Sequence, residues 1–71
     1  MDRHPFGNNI IASAGYDAQR AVLEIEFAKN AQIWQYEDVA EDLWYRMKTD
    51  LYPEEFFGYY IRGQHREVRL H

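Results

Sequence analysis

A few residues in this chain have the types and spacings that chemistry uses. Glu24 and Glu26 lie two apart in the alternating run Leu23-Glu24-Ile25-Glu26-Phe27. On a strand they share one face, about 7 Å apart, a separation that could serve the acid and base of an inverting glycosidase. Two carboxylates on an alternating strand are, however, its ordinary solvated face, and nothing around them reads as a sugar cleft. Ser13, the sole serine, stands between Ala12 and Ala14, far in sequence from every histidine. A nucleophile needs an orienting base within hydrogen-bond reach, so Ser13 reads as structural. No catalytic residue is expected, and the chain reads as a non-enzyme.

His4, His65 and His71 are scattered toward the two ends without paired-ligand spacing, and there is no cysteine. No metal site, cofactor or disulfide is expected. Two features could bind a partner. Trp34 and Tyr36 form an aromatic pair with one residue between, a pattern that stacks single-stranded bases when it stands on an open sheet and packs a core when it lies under helices. Arg62, His65, Arg66 and Arg69 form a basic segment, with Tyr59 just before it. The alternative for that segment is a solvated helix end, where basic side chains suit the helix dipole.

The charge distribution sharpens the second feature. Residues 1–60 carry five basic and eleven acidic side chains for a net of −6, whereas residues 61–71 carry three arginines against Glu67, within a chain of net charge −4. A polyanion would be repelled everywhere except at the C-terminal segment. The run Met1-Asp2-Arg3-His4-Pro5 leads into no apolar stretch, and no run is long enough to span a bilayer, so a cytoplasmic chain with no membrane partner is expected. No small-molecule substrate is evident.

The elements that must position these residues follow from periodicity. With 71 residues, 46% of them hydrophobic and 17% aromatic, the chain is expected to form one domain over 1–71, built on an aromatic-rich core. A first strand is expected over residues 8–16 and a second over Ala21–Phe27, whose Leu23, Ile25 and Phe27 face one side and Glu24 and Glu26 the other. A third covers Gln32–Tyr36, after a turn at Lys29-Asn30 where Asn30 tolerates positive φ. An even loop there sets Trp34 opposite Ile25 and Tyr36 opposite Leu23, with both rings toward the core, whereas an odd loop or a bulge at Ala28 would put Ile33 inside and the aromatics outside. A four-residue loop at 17–20 would set Ala14, Ala12 and Ile10 opposite Leu23, Ile25 and Phe27.

The period then becomes helical. Val39, Ala40, Leu43, Trp44 and Met47 share a face, with Asp38 as the expected cap and Arg46 and Lys48 in the last turn. Pro53 opens a second helix with the pairs Phe56/Tyr60 and Phe57/Ile61, and Gly63 stops it. Gly58 implies either a backbone packed closely against it or a short helix. Residues 64–71 fit a short strand or a frayed tail. The expected fold is α+β: a three-stranded antiparallel meander followed by two helices packed on one face.

Gly15-Tyr16-Asp17, Leu23-x-Ile25-x-Phe27, Trp34-x-Tyr36, Phe56-Phe57 and Ile61-Arg62-Gly63 occur in an order and spacing that resembles the KTSC domain, a module found alone in bacterial proteins and at the C-terminus of some lysyl-tRNA synthetases. The family's mark is Tyr-x-Tyr, whose first position here is Trp34. Where the family has a Ser/Gly-containing turn before Phe-Phe, this chain has Asp50-Leu51-Tyr52-Pro53-Glu54-Glu55. The resemblance implies an interaction module, with RNA as the suggested partner; by charge and position, Arg62, His65, Arg66, Arg69 and Tyr59 are its candidate contacts. A protein partner or a second copy, engaged by the acidic residues Glu37, Asp38, Glu41 and Asp42 or by a strand edge, is the rival reading.

Overall fold

The computed structural model describes residues 1–71. It comprises strands β1 (Arg3–Pro5), β2 (Ile11–Asp17), β3 (Val22–Phe27) and β4 (Ile33–Tyr36), helices α1 (Glu41–Thr49) and α2 (Pro53–Tyr60), and strand β5 (Glu67–Arg69). All neighbours pair antiparallel in the order β1-β2-β3-β4-β5. The fold is α+β, but the sheet has five strands rather than three. Both added strands are three-residue edges, too short to show an alternating pattern, and Pro5 sits on an edge where its missing N–H costs no ladder bond.

The β3–β4 hairpin has the register that the even loop requires, with Leu23 opposite Tyr36 and Ile25 opposite Trp34. The left-handed residue of its loop is Ala31, at φ 58°, not Asn30. Asn30 serves the loop through its side chain, Oδ1 accepting the Gln32 N–H at 3.0 Å. The β2–β3 register differs from expectation. Asp17 remains in the strand, its carboxylate accepting the Gln19 and Arg20 N–H groups at 3.0 and 3.2 Å, and Ala21 closes the turn at φ 56°. The loop thereby moves one residue along, and Ala14 faces Ile25 while Tyr16 faces Leu23. A bulge between Ile11 and Ser13 then reverses the alternation, burying Ile11 and leaving Ile10 exposed.

Asp38 does not cap α1. It adopts φ 57°, Ala40 is the N-cap residue, and no side chain caps the helix. The approach is pinned by the sheet instead: the Val39 N–H donates to the Ala21 carbonyl at 2.9 Å, and the Tyr16 hydroxyl donates to the Val39 carbonyl at 2.6 Å. Helix α2 begins at Pro53 and is only eight residues long. Nothing lies within 4 Å of a Cβ placed on Gly58, so shortness, not close backbone packing, accounts for that glycine.

Both helices cover one face of the sheet. Ile11, Ala14, Leu23, Ile25 and Tyr36 from the strands meet Val39, Met47, Phe56, Phe57 and Ile61 in a single core. The opposite face is polar and cross-linked. Glu24 accepts from Arg3 Nη1 and from Gln35 Nε2, each at 3.1 Å, and Glu26 accepts from Ser13 Oγ at 2.8 Å. Gly15 admits the first residues of the chain there, since a Cβ on it would stand 2.6 Å from the Asp2 carbonyl oxygen. No helix is long and apolar enough to cross a membrane.

Candidate nucleic-acid interface

Strand β4 places Trp34 and Tyr36 on the helix-covered face, because residues two apart on a strand point the same way. Their surroundings differ. Tyr36 is only 2% exposed and meets Phe57 edge to face, with centroids 5.1 Å apart. Trp34 packs at the margin of the core, half-buried, its Nε1 donating to Gln32 Oε1 at 3.1 Å. The sequence placed both rings in the core; the structure seals only Tyr36 there.

The end of α2 explains the margin. The Ile61 and Arg62 N–H groups both donate to the Phe57 carbonyl, at 3.0 and 2.9 Å, and Gly63 turns the chain at φ 79°. Ile61 is buried, while the Arg62 guanidinium lies over the Phe27 ring, 5.7 Å from its centroid. The chain then returns as β5, which sets Arg69 opposite Trp34 and Glu67 opposite Tyr36.

Between these elements lies a cleft of about 320 Å³, near the lower end of the range for small-ligand pockets. Trp34 and Tyr36 line it together with Phe27, Arg62 and Glu67. Lys29, Asn30 and Gln32 from the β3–β4 loop line it too, as do Asn9 and Ile10 from the bulged entry to β2. Burial, and then the Glu67 carboxylate, push the Tyr36 phenol up to about 12, with Arg62 acting in the opposite direction. Tyr36 is therefore a neutral hydroxyl at physiological pH. Burial also raises Tyr16, reinforced by Glu41, Asp17 and Asp42.

Of the basic segment, Arg62 alone reaches the cleft lining, and Arg69 stands beside it across from Trp34. His65 and Arg66 turn toward Glu37: His65 Nδ1 lies 3.0 Å from its carbonyl oxygen, and Arg66 Nε lies 3.9 Å from its carboxylate. Tyr59 is 75% exposed and packs beside Tyr60, outside the lining. Sequence reasoning missed Phe27, Lys29, Asn30, Gln32 and Glu67 as site residues, and Asn9 and Ile10 with them. The hairpin turn already put the first four near Trp34 and was the available signal, whereas Glu67 depends on β5. No three His, Asp or Glu side chains gather into a group that could hold a metal ion.

The comparisons with known proteins agree with one another. No curated protein matches this sequence. Among solved structures, the crystal structure of a KTSC domain protein from Yersinia pestis is similar, with a TM-score of 0.92 and 27% identity over 99% of this chain and 97% of that one. The model of the KTSC domain matches residues 8–65. That span runs from the entry of β2 through both helices and includes the aromatic pair and Arg62, so the chain belongs to the KTSC domain family.

Proposed function

We propose that this chain is a non-enzymatic interaction module that binds single-stranded RNA at the Phe27–Trp34–Arg62 cleft. The observation that carries this reading is the partly open indole of Trp34 beside Arg62 and Arg69, in a chain that is otherwise acidic. An aromatic face stacks a base of any sequence, and neighbouring arginines hold the phosphates that flank it. Arg66, His65 and Tyr59 extend the track along the surface. The same reading takes Ser13, Glu24 and Glu26 as structural: Ser13 bonds Glu26, and Glu24 bonds Arg3 and Gln35.

The rival reading, a protein partner or second copy, has less in its favour. Of the acidic group, the Glu37 carboxylate already faces Arg66 Nε at 3.9 Å. Both sheet edges are three-residue strands, one carrying Pro5 and the other the charged pair Glu67 and Arg69, which are devices that discourage strand addition.

Titrating labelled single-stranded RNA at several salt concentrations tests the proposal. Neutralising about three phosphates gives a log–log salt slope near −2, and each arginine replaced by alanine lowers its magnitude by about 0.7. The Arg62/Arg66/Arg69 triple-alanine variant loses binding. Undetectable binding at low salt, or an unchanged slope in the triple variant, would put the protein-partner reading in front.

A further inference from the structure

Arg62 and Glu67 both line the cleft, yet neither belongs to an ion pair: the salt bridges are Arg3–Glu24 and Arg66–Glu37. The two have opposite effects on the Tyr36 phenol, Glu67 raising it through its charge and a side-chain hydrogen bond and Arg62 lowering it. Glu67 Oε1 also accepts from the Gly63 N–H at 3.4 Å, and the Arg62 guanidinium lies 5.7 Å from the Phe27 ring centroid. A carboxylate and a guanidinium that are not paired with each other thus share an aromatic-lined cleft.

We propose that the cleft is selective for guanine, with Glu67 accepting from its Watson–Crick edge and Arg62 donating to its O6/N7 edge. This rests on the RNA reading above and adds base choice to it, moving Arg62 from a phosphate to the base when guanine is bound and leaving Arg66 and Arg69 on the phosphates. Guanine carries two neighbouring N–H donors, N1–H and the N2 amine, which match the two oxygens of one carboxylate. Adenine and cytosine offer a single exocyclic amine beside an acceptor, and uracil a single N–H between two carbonyls, so each would set an acceptor against Glu67. Arg pairing with O6 and N7 is the common guanine contact from the other edge. Trp34 supplies the stacking face. Its indole N–H is already bound by Gln32, so the ring is held in place and leaves polar readout to Glu67 and Arg62. Tyr36, a neutral hydroxyl at physiological pH, adds no charge to the cleft.

The experiment compares uridine heptamers carrying one central G, A, C or inosine, titrated into the intact chain and followed by tryptophan fluorescence. The G heptamer should bind about tenfold tighter than the others, the size of one bidentate pair. Inosine, which lacks the N2 amine, should lose most of that advantage. Glu67→Gln should abolish the preference while retaining the salt slope, and the amide spectrum of this surface variant checks that it is folded. Equal binding of all four heptamers, or a G preference that survives Glu67→Gln, would overturn guanine selection and leave RNA binding standing. Failure of every heptamer to bind at low salt would overturn both.

Discussion

Trp34 and Tyr36 stand two residues apart on the same face of the same strand, and the molecule treats them differently. Phe57 closes over Tyr36, which is almost wholly buried. Trp34 lies past the end of that cover, where α2 has stopped at Tyr60 and the chain has turned at Gly63. The lesson is that position under the helical roof, not residue type, separates a core ring from a ring left partly open. The Tyr-x-Tyr mark of the family is, in this chain, one position of each kind.

The largest expected effect tests that division directly. Tyr36→Ala removes a sealed ring and should cost ~3–5 kcal/mol, a large share of the 5–15 kcal/mol typical of a domain. Trp34→Ala should cost less, about 2 kcal/mol, while abolishing RNA binding. Urea melts of the two variants decide it. Equal losses of stability would erase the distinction between the two rings.

A second effect separates them by pH. The folded-state value of Tyr36, about 12, lies above the ordinary phenol value of 10, so the folded state favours the protonated form. The corresponding stability is fully present below pH 10 and is lost as pH rises toward 12. Alkaline unfolding should therefore begin above pH 10, and Tyr36→Phe should blunt the decline. The raised Tyr16 contributes in the same direction, which leaves a residual slope in that variant. A wild-type stability that stays flat from pH 10 to 12 would mean that Tyr36 is not sealed.

The smallest effect lies outside both rings. Gly58→Ala meets open space on α2 and should stabilise the protein by up to ~1 kcal/mol through helix propensity alone, with RNA affinity unchanged. A change in affinity would show that the length or rigidity of α2 sets how far the cleft opens.

The central hairpin and both helices were legible in the sequence because their signals are local: alternation over 22–27, the even loop at 28–31, and Pro53 and Gly63 bracketing α2. What was not legible depended on partners distant in sequence. The bulge that buries Ile11 instead of Ile10 is set where the Ala28 N–H donates to the Ile10 carbonyl across the hairpin. Asp38 had the residue type of a helix cap, but the bonds tying Val39 to Ala21 and Tyr16 draw the chain into a left-handed turn there. Glu67 could not be placed in the cleft without β5, whose three residues carry no period of their own. Arg62 was singled out for its charge, and its setting over Phe27 arises only when α2 docks.

The pairing of β5 with β4 also protects an edge of the sheet. The strands from β1 to β4 follow one another through short connections, whereas β5 comes from beyond both helices to lie against β4. Without it the outer edge of β4, Ile33-Trp34-Gln35-Tyr36, would offer unpaired backbone groups to any neighbouring chain. Leu70 N–H and His71 N–H donate to the Ile33 carbonyl and Ile33 N–H donates to the His71 carbonyl, and the same segment brings Glu67 to the cleft. One short strand thus guards the sheet against edge-to-edge association and lines the cleft, so losing it would expose the first and dismantle the second together.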